Sequence, residues 1–250
     1  MLLALEWPLD LMEEFQELAD FDFILTHLMV KGTPYYEYYK NSNKYKMLDN
    51  STNELETPCA WADIKEVADS IGPNKICPPD YLGDSTKTLK AIEDALMEYE
   101  PDQLLPIIQG STHGEALYAA EKIEGWGCTS IAVPYDITLD RRTAGLEAMA
   151  ESRFQVVTDL ILNRTFHWIH LLGCTGTDEL LSYGKEEFET VLSIDTGFPI
   201  TQGLHGIQLG KDEPLDKKTM LDFDKKKVDV GMETLSICYY NIAYLRACIT

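Results

Sequence analysis

Short apolar runs alternate along this chain with longer stretches of helical spacing, and most of the runs stop at a polar residue followed by a turn. Residues 21–30, 45–48, 75–79, 104–108, 129–133, 167–172 and 190–194 read as strands. Between them, 7–18, 60–70, 85–99, 113–124, 141–164 and 178–185 read as helices. Gly72-Pro73 stops the second of these, Asp84 caps the third, and Leu89, Ile92, Leu96 and Tyr99 share its apolar face. The first, rich in acids, reads as a surface helix, and 232–249 as a final helix. Strands alternating with helices predict an α/β protein with a parallel sheet. This number of units in one chain suits a closed (β/α)8 TIM-like barrel, a single domain over 1–250, better than an open sheet. The eighth strand is least distinct, with Gly206-Ile207-Gln208-Leu209-Gly210 as its best candidate.

Four strand ends carry a polar residue at the same kind of place: Asp49, Asp80, Gln109 and Asp195. In parallel α/β proteins, chemistry gathers at the C-terminal ends of strands. Each could instead be a turn or cap residue. His167 and His170 share a predicted strand at odd spacing, so they face opposite sides and read as core or loop histidines rather than a metal pair. Residues 31–46 interleave Lys31, Lys40, Lys44 and Lys46 with five tyrosines. Such a stretch holds phosphates and stacks on bases, or is a half-buried loop covering the core.

Charge changes the picture. The 250 residues carry 21 Lys and Arg against 42 Asp and Glu, a formal net charge of −21, which argues against loose binding to nucleic acid but leaves a local basic groove possible. Arg141 and Arg142, beside a strand end, are a second candidate for such contacts, and a basic partner protein is another route to a polyanion. The six cysteines form no CxxC pair and read as reduced. No run is long enough to span a membrane, and residues 1–7 lack the features of a secretory signal, so a cytoplasmic protein is expected. No GxGxxG, Walker A or HExxH motif occurs.

Several segments together resemble the tRNA-guanine transglycosylase superfamily, and within it the phage and bacterial enzymes that insert 7-deazaguanines into DNA. Leu105-Pro106-Ile107-Ile108-Gln109-Gly110-Ser111 resembles the family's base-recognition strand. The segment from His170 through Gly173 to Asp178-Glu179-Leu180 resembles its strand leading to Gly-x-x-x-x-Asp-Leu. Ser193-Ile194-Asp195-Thr196 falls where the nucleophilic aspartate belongs, and Tyr240-Asn241-Ile242-Ala243-Tyr244-Leu245 is similar to its last helix motif.

The resemblance implies exchange of guanine in DNA, or alternatively tRNA, for a base such as preQ0, through a covalent aspartyl-sugar intermediate. A phage-encoded enzyme would work in the host cytoplasm. Asp195 would be the nucleophile, Asp49 the acid–base group, and Asp80, Gln109, Gly110, Val133, Pro134, Tyr135 and Gly173 the base pocket. Val133-Pro134-Tyr135 stands where the family has Gly-Gly-Leu, and Phe198-Pro199-Ile200-Thr201-Gln202-Gly203 where it has an Arg-rich segment. Only Cys238 lies near the family's zinc-ligand positions, so no zinc subdomain, metal or cofactor is expected. An inactive nucleic-acid-binding subunit of the same family is the non-enzymatic alternative.

Overall fold

A computed structural model describes residues 1–139, 144–173, 176–183, 190–212, 214 and 230–249. Its strands are β1 (Leu2–Leu5), β2 (Asp22–Leu25), β3 (Lys46–Asp49), β4 (Lys75–Ile76), β5 (Ser130–Pro134), β6 (Trp168–Leu172) and β7 (Val191–Thr196). Its helices are α1 (Met12–Phe15), α2 (Pro34–Asn41), α3 (Thr52–Leu55), α4 (Trp61–Ile71), α5 (Ser85–Ala95), α6 (His113–Gly125), α7 (Leu146–Asn163), α8 (Thr177–Ser182), α9 (Phe198–Leu204) and α10 (Met232–Ile249). The strands form two sheets, β1-β7-β6-β5 and β2-β3-β4, and every pair is parallel. The α/β expectation with parallel pairing therefore holds.

Residues 104–108 lie between the two sheets. Ile76 bridges Leu104 and Ile107 bridges Ala132, both in the parallel sense. Pro106 has no N–H to give, so the segment makes isolated bridges instead of the regular strand expected there. Pro78 and Pro79 shorten β4 for the same reason. At the other junction, Asp20 N–H donates to the Leu3 carbonyl at 2.8 Å and the Asp20 carboxylate accepts from Leu3 N–H at 2.8 Å.

Further expectations are corrected. Residues 206–210 are not a strand: Asn241 of α10 accepts from Leu209 N–H at 2.9 Å and donates to the Ile207 and Pro199 carbonyls, tying the segment to the helix. A strand unforeseen in the sequence, β1, lies at the N-terminus and pairs in register with β7, Ala4 opposite Asp195. The acidic stretch after it is a series of short helical turns whose Trp7, Leu11, Met12 and Phe15 are buried, not a surface helix.

The pleat sorts strand side chains into two sets. Leu3, Ile24, Leu48, Ile131, Ile169 and Ile194 pack in the larger core with the helices. Ala4, Phe23, Met47, Cys77, Leu105, Ile107 and Ala132, drawn from both sheets, form a second core on the opposite face. Asp49 follows Met47 by two residues, Gln109 follows Ile107, and Asp195 follows Ser193. Period two therefore carries this second face beyond its apolar floor to the polar strand ends.

Candidate active site

At those ends lies a cavity of about 670 Å³, lined by Glu6, Asp49, Glu54, Asp80, Asp136 and Asp195 among others. Of the base-pocket residues expected from sequence, Asp80, Gln109, Pro134, Tyr135 and Gly173 also line it. Val133 and Gly110 do not belong to the lining. The pleat turns Val133 into the helix-side core. Gly110 packs so closely on α6 that a Cβ there would stand 2.8 Å from the Ala116 nitrogen.

Asp195 is buried, and its Oδ1 accepts from His170 Nε2 at 3.0 Å and from Gly173 N–H at 3.1 Å. Behind it, His170 Nδ1 meets Ser193 Oγ at 2.8 Å, and Ser193 Oγ accepts from Trp168 Nε1 at 2.6 Å. A carboxylate can only accept, so Nε2 presents a proton to Asp195, while the Ser193 hydroxyl that takes the indole N–H also meets Nδ1. Burial alone would raise the Asp195 pKa. The His170 hydrogen bond, the electrostatic attraction of the same imidazole, a hydrogen bond with Glu6 and the Gly173 N–H outweigh it and hold the carboxyl below its usual range.

Asp49 is pushed the other way. Burial, the negative field of Glu54, and more weakly those of Asp80 and Asp195 raise its pKa well above the ordinary carboxylate value, against the Ser51 N–H bonded to Oδ2 at 2.6 Å. The turn that follows puts Ser51 at φ 63, and α3 then brings Glu54 to the cavity. Burial also raises Glu54.

Asp80 is clamped between two amides. Oδ1 accepts from Asn50 Nδ2 at 2.9 Å and Oδ2 from Gln109 Nε2 at 2.5 Å. Neither amide can be turned over without loss, because Asn50 Oδ1 accepts from Thr52 N–H and hydroxyl and Gln109 Oε1 accepts from Gly83 N–H. Burial raises the Asp80 pKa, and hydrogen bonds from Thr52, Gln109 and Asn50 oppose it.

The stretch 31–46 is not an open loop. Thr33 caps α2 with Pro34 at its first turn, and Tyr35, Tyr36 and Tyr39 are buried. Tyr35 and Tyr39 reach the cavity wall. The four lysines separate. Lys31 and Lys40 are exposed, Lys31 bonded to Glu66 at 2.7 Å and Lys40 over the Tyr36 ring. Lys46 opens β3, whose other end is Asp49, and roughly 10 Å of strand separates them. Its buried Nζ donates to the Ile71 carbonyl, and Lys44 Nζ donates to the Gln16 and Ala19 carbonyls. Lys44 and Lys46 therefore tie down the far ends of the strands, beside Asp22 and away from the carboxylates of the cavity. Arg141 and Arg142 lie outside the described residues.

No protein-family model matches the chain, and no curated protein matches it.

Sequence reasoning missed Glu6, Glu54 and Asp136 in the cavity and read His170 as a core or loop histidine, without the role its buried position gives it beside Asp195. The parity of β6 and β7 contains the signal for His170: it is paired with Ser193, which shares a face with Asp195. Cys238 packs against Gly203 and the Ile200 carbonyl.

Proposed function

We propose that this chain exchanges guanine in nucleic acid for a 7-deazaguanine base, with Asp195 as nucleophile and Asp49 as the acid–base group. The observation behind this reading is a pair of carboxyls in one cavity pushed in opposite directions, Asp195 toward the ionised form and Asp49 toward the protonated one. Such a separation divides nucleophile from acid in retaining glycosyl transfer. In the first half-reaction an Asp195 oxygen bonds to the sugar C1′ as the C1′–N bond breaks, and Asp49 gives its proton to the leaving guanine. In the second, Asp49 takes a proton from the incoming base, whose nitrogen displaces Asp195 from C1′. The reaction consumes no cofactor.

Asp80 receives the N1–H and amino group of guanine on the lone pairs its two amide clamps leave open. One Gln109 amide hydrogen is committed to Asp80, and the other faces O6. The acidic lining opposes entry of phosphate, so the base and its sugar C1′ enter while the phosphates stay outside, at a cost of a few kcal/mol for leaving the stack. Lys31 and Lys40 are the cations of the 31–46 stretch that stand clear of the strand bottoms, and they meet the backbone. Duplex DNA is the preferred polymer and preQ0 the type of incoming base. In this reading β1, β2, β3, β4, the 104–108 segment, β5, β6 and β7 are the eight staves of a (β/α)8 barrel, with its seam between β1 and β2.

Incubation with labelled guanine and either duplex DNA or tRNA tests the reading. Time-dependent label in one polymer, lost in Asp195→Ala, is the expected result. A folded wild-type protein that labels neither polymer overturns it.

A further inference from the structure

Arg153 lies on the buried stripe of α7, with Met149, Val156 and Leu160, and is fully buried. A lone arginine on an apolar stripe must be paired to be tolerated there. Its Nε donates to Glu179 Oε1 at 2.6 Å, and Nη2 also contacts that oxygen. Its Nη1 donates to the Leu172 carbonyl at 2.8 Å and to the Gly173 carbonyl at 3.0 Å. Glu179 is the buried one of two acidic residues on α8, the helix that follows β6.

The Leu172 carbonyl and the Gly173 N–H belong to one peptide unit. In a planar trans peptide these two groups point to opposite sides. The carbonyl side meets the Arg153 guanidinium, and the N–H side meets Asp195 Oδ1. A cation, an aligned peptide dipole and a carboxylate thus stand in line, each polarising the next. Gly173 has φ 66, which glycine reaches without steric cost but with more freedom to leave than other residues, so outside support narrows its conformation. Arg153 supplies that support by holding the carbonyls on both sides of the Gly173 Cα.

We propose that Arg153, braced by Glu179, is a positioning residue for Asp195 and acts through the Leu172–Gly173 peptide. Its role as a support for a nucleophile rests on the function proposed above; its hold on the Asp195 carboxyl does not. Two donors fix Oδ1 from behind, and each is anchored by a buried chain. One runs Trp168–Ser193–His170, the other Glu179–Arg153–peptide. The fork of arginine is needed because one donor group must span two carbonyls while another grips the glutamate. Lysine offers a single point charge and cannot do both.

The test reads the Asp195 carboxyl itself. The groups that face it are His170 on β6, Glu6 after β1, Asp49 at the end of β3, Glu54 on α3 and the Cys77 thiol. Carbon-13 NMR titration of aspartate-labelled protein, with Asp195→Asn identifying the signal, follows its protonation in wild type, Arg153→Lys and the double variant Arg153→Met/Glu179→Leu. The double variant replaces a buried ion pair with apolar side chains, an exchange that is often neutral or stabilising. A merely structural pair would therefore be replaced without consequence for Asp195.

The positioning role predicts that the double variant stays folded, with a melting temperature lowered by the two carbonyls that lose their donor, while its Asp195 titration moves up by about one pH unit. Amide exchange at Gly173 should quicken in both variants. Where base exchange is measurable, kcat should fall with the KM for free base unchanged. An Asp195 titration and a Gly173 exchange rate that match wild type in a folded variant overturn the proposal. Failure of the wild type to exchange bases overturns the function instead, and leaves the titration result standing.

Discussion

Replacing Asp80 with asparagine tests the clamp at the centre of the cavity. The substitution keeps the shape and removes one acceptor. The Asn50 and Gln109 amides both present hydrogens to residue 80, and both are held in that orientation by Thr52 and Gly83. Asparagine can accept from one of them, but its own amino group must face the other. One hydrogen bond to a charged acceptor then disappears, worth about 1.5–3 kcal/mol. Part of that cost is returned, because burial already disfavours the ionised carboxyl. A net cost of about 2 kcal/mol lowers the melting temperature of a chain of this size by roughly 4–8 °C. Scanning calorimetry at neutral pH measures it. Adding Gln109→Glu to Asp80→Asn reverses the acid–amide pair, restores an acceptor opposite the new amino group, and should recover most of the difference. An Asp80→Asn protein that melts at or above the wild-type temperature would refute the locked orientation of the two amides.

Two further predictions concern charge. The folded-state pKa of Asp49 is raised, so its contribution to stability is full below the unfolded value of about 3.9 and is lost as pH rises through the folded value. Asp49→Asn should therefore gain melting temperature relative to wild type as pH increases, and a difference that shrinks or reverses contradicts the raised pKa. In the exchange assay, Lys31→Gln/Lys40→Gln should raise the polymer KM and flatten its salt dependence, by about 0.9 in slope for each phosphate that is no longer neutralised. Lys46→Met should leave both unchanged, because its ammonium is buried on the Ile71 carbonyl; a flattened slope in that variant would place Lys46 on the polymer path.

Strand-end chemistry was the most legible part of the chain. Asp49, Asp80, Gln109 and Asp195 each stop an apolar run, and all four line one cavity. β1 was hidden because Leu2-Leu3-Ala4-Leu5 is apolar at every position and shows no alternation, leaving only its pairing with β7 to define it. The 206–210 run was misleading for the opposite reason. Leu209 is buried in the helix-side core, Gly210 lies against Tyr244 of α10, and a buried asparagine takes up the backbone bonds a sheet would have used. In 31–46 the cap at Thr33 and the proline after it were the unread helix signal. Lys46 shows what composition alone cannot give: the start and the end of one parallel strand lie at opposite ends of the sheet. Arg153 and Glu179 are far apart in sequence on separate helices, so no local spacing reveals the pair.

The most direct measurement is the intact mass of the protein after incubation with a guanine-containing duplex in the absence of an incoming base. The account predicts a covalent adduct of protein and base-depleted DNA, mapped by peptide mass to Asp195, absent in Asp195→Asn and released when preQ0 is added. An adduct that persists in Asp195→Asn, or base exchange by the wild type with no adduct at any time, would contradict it.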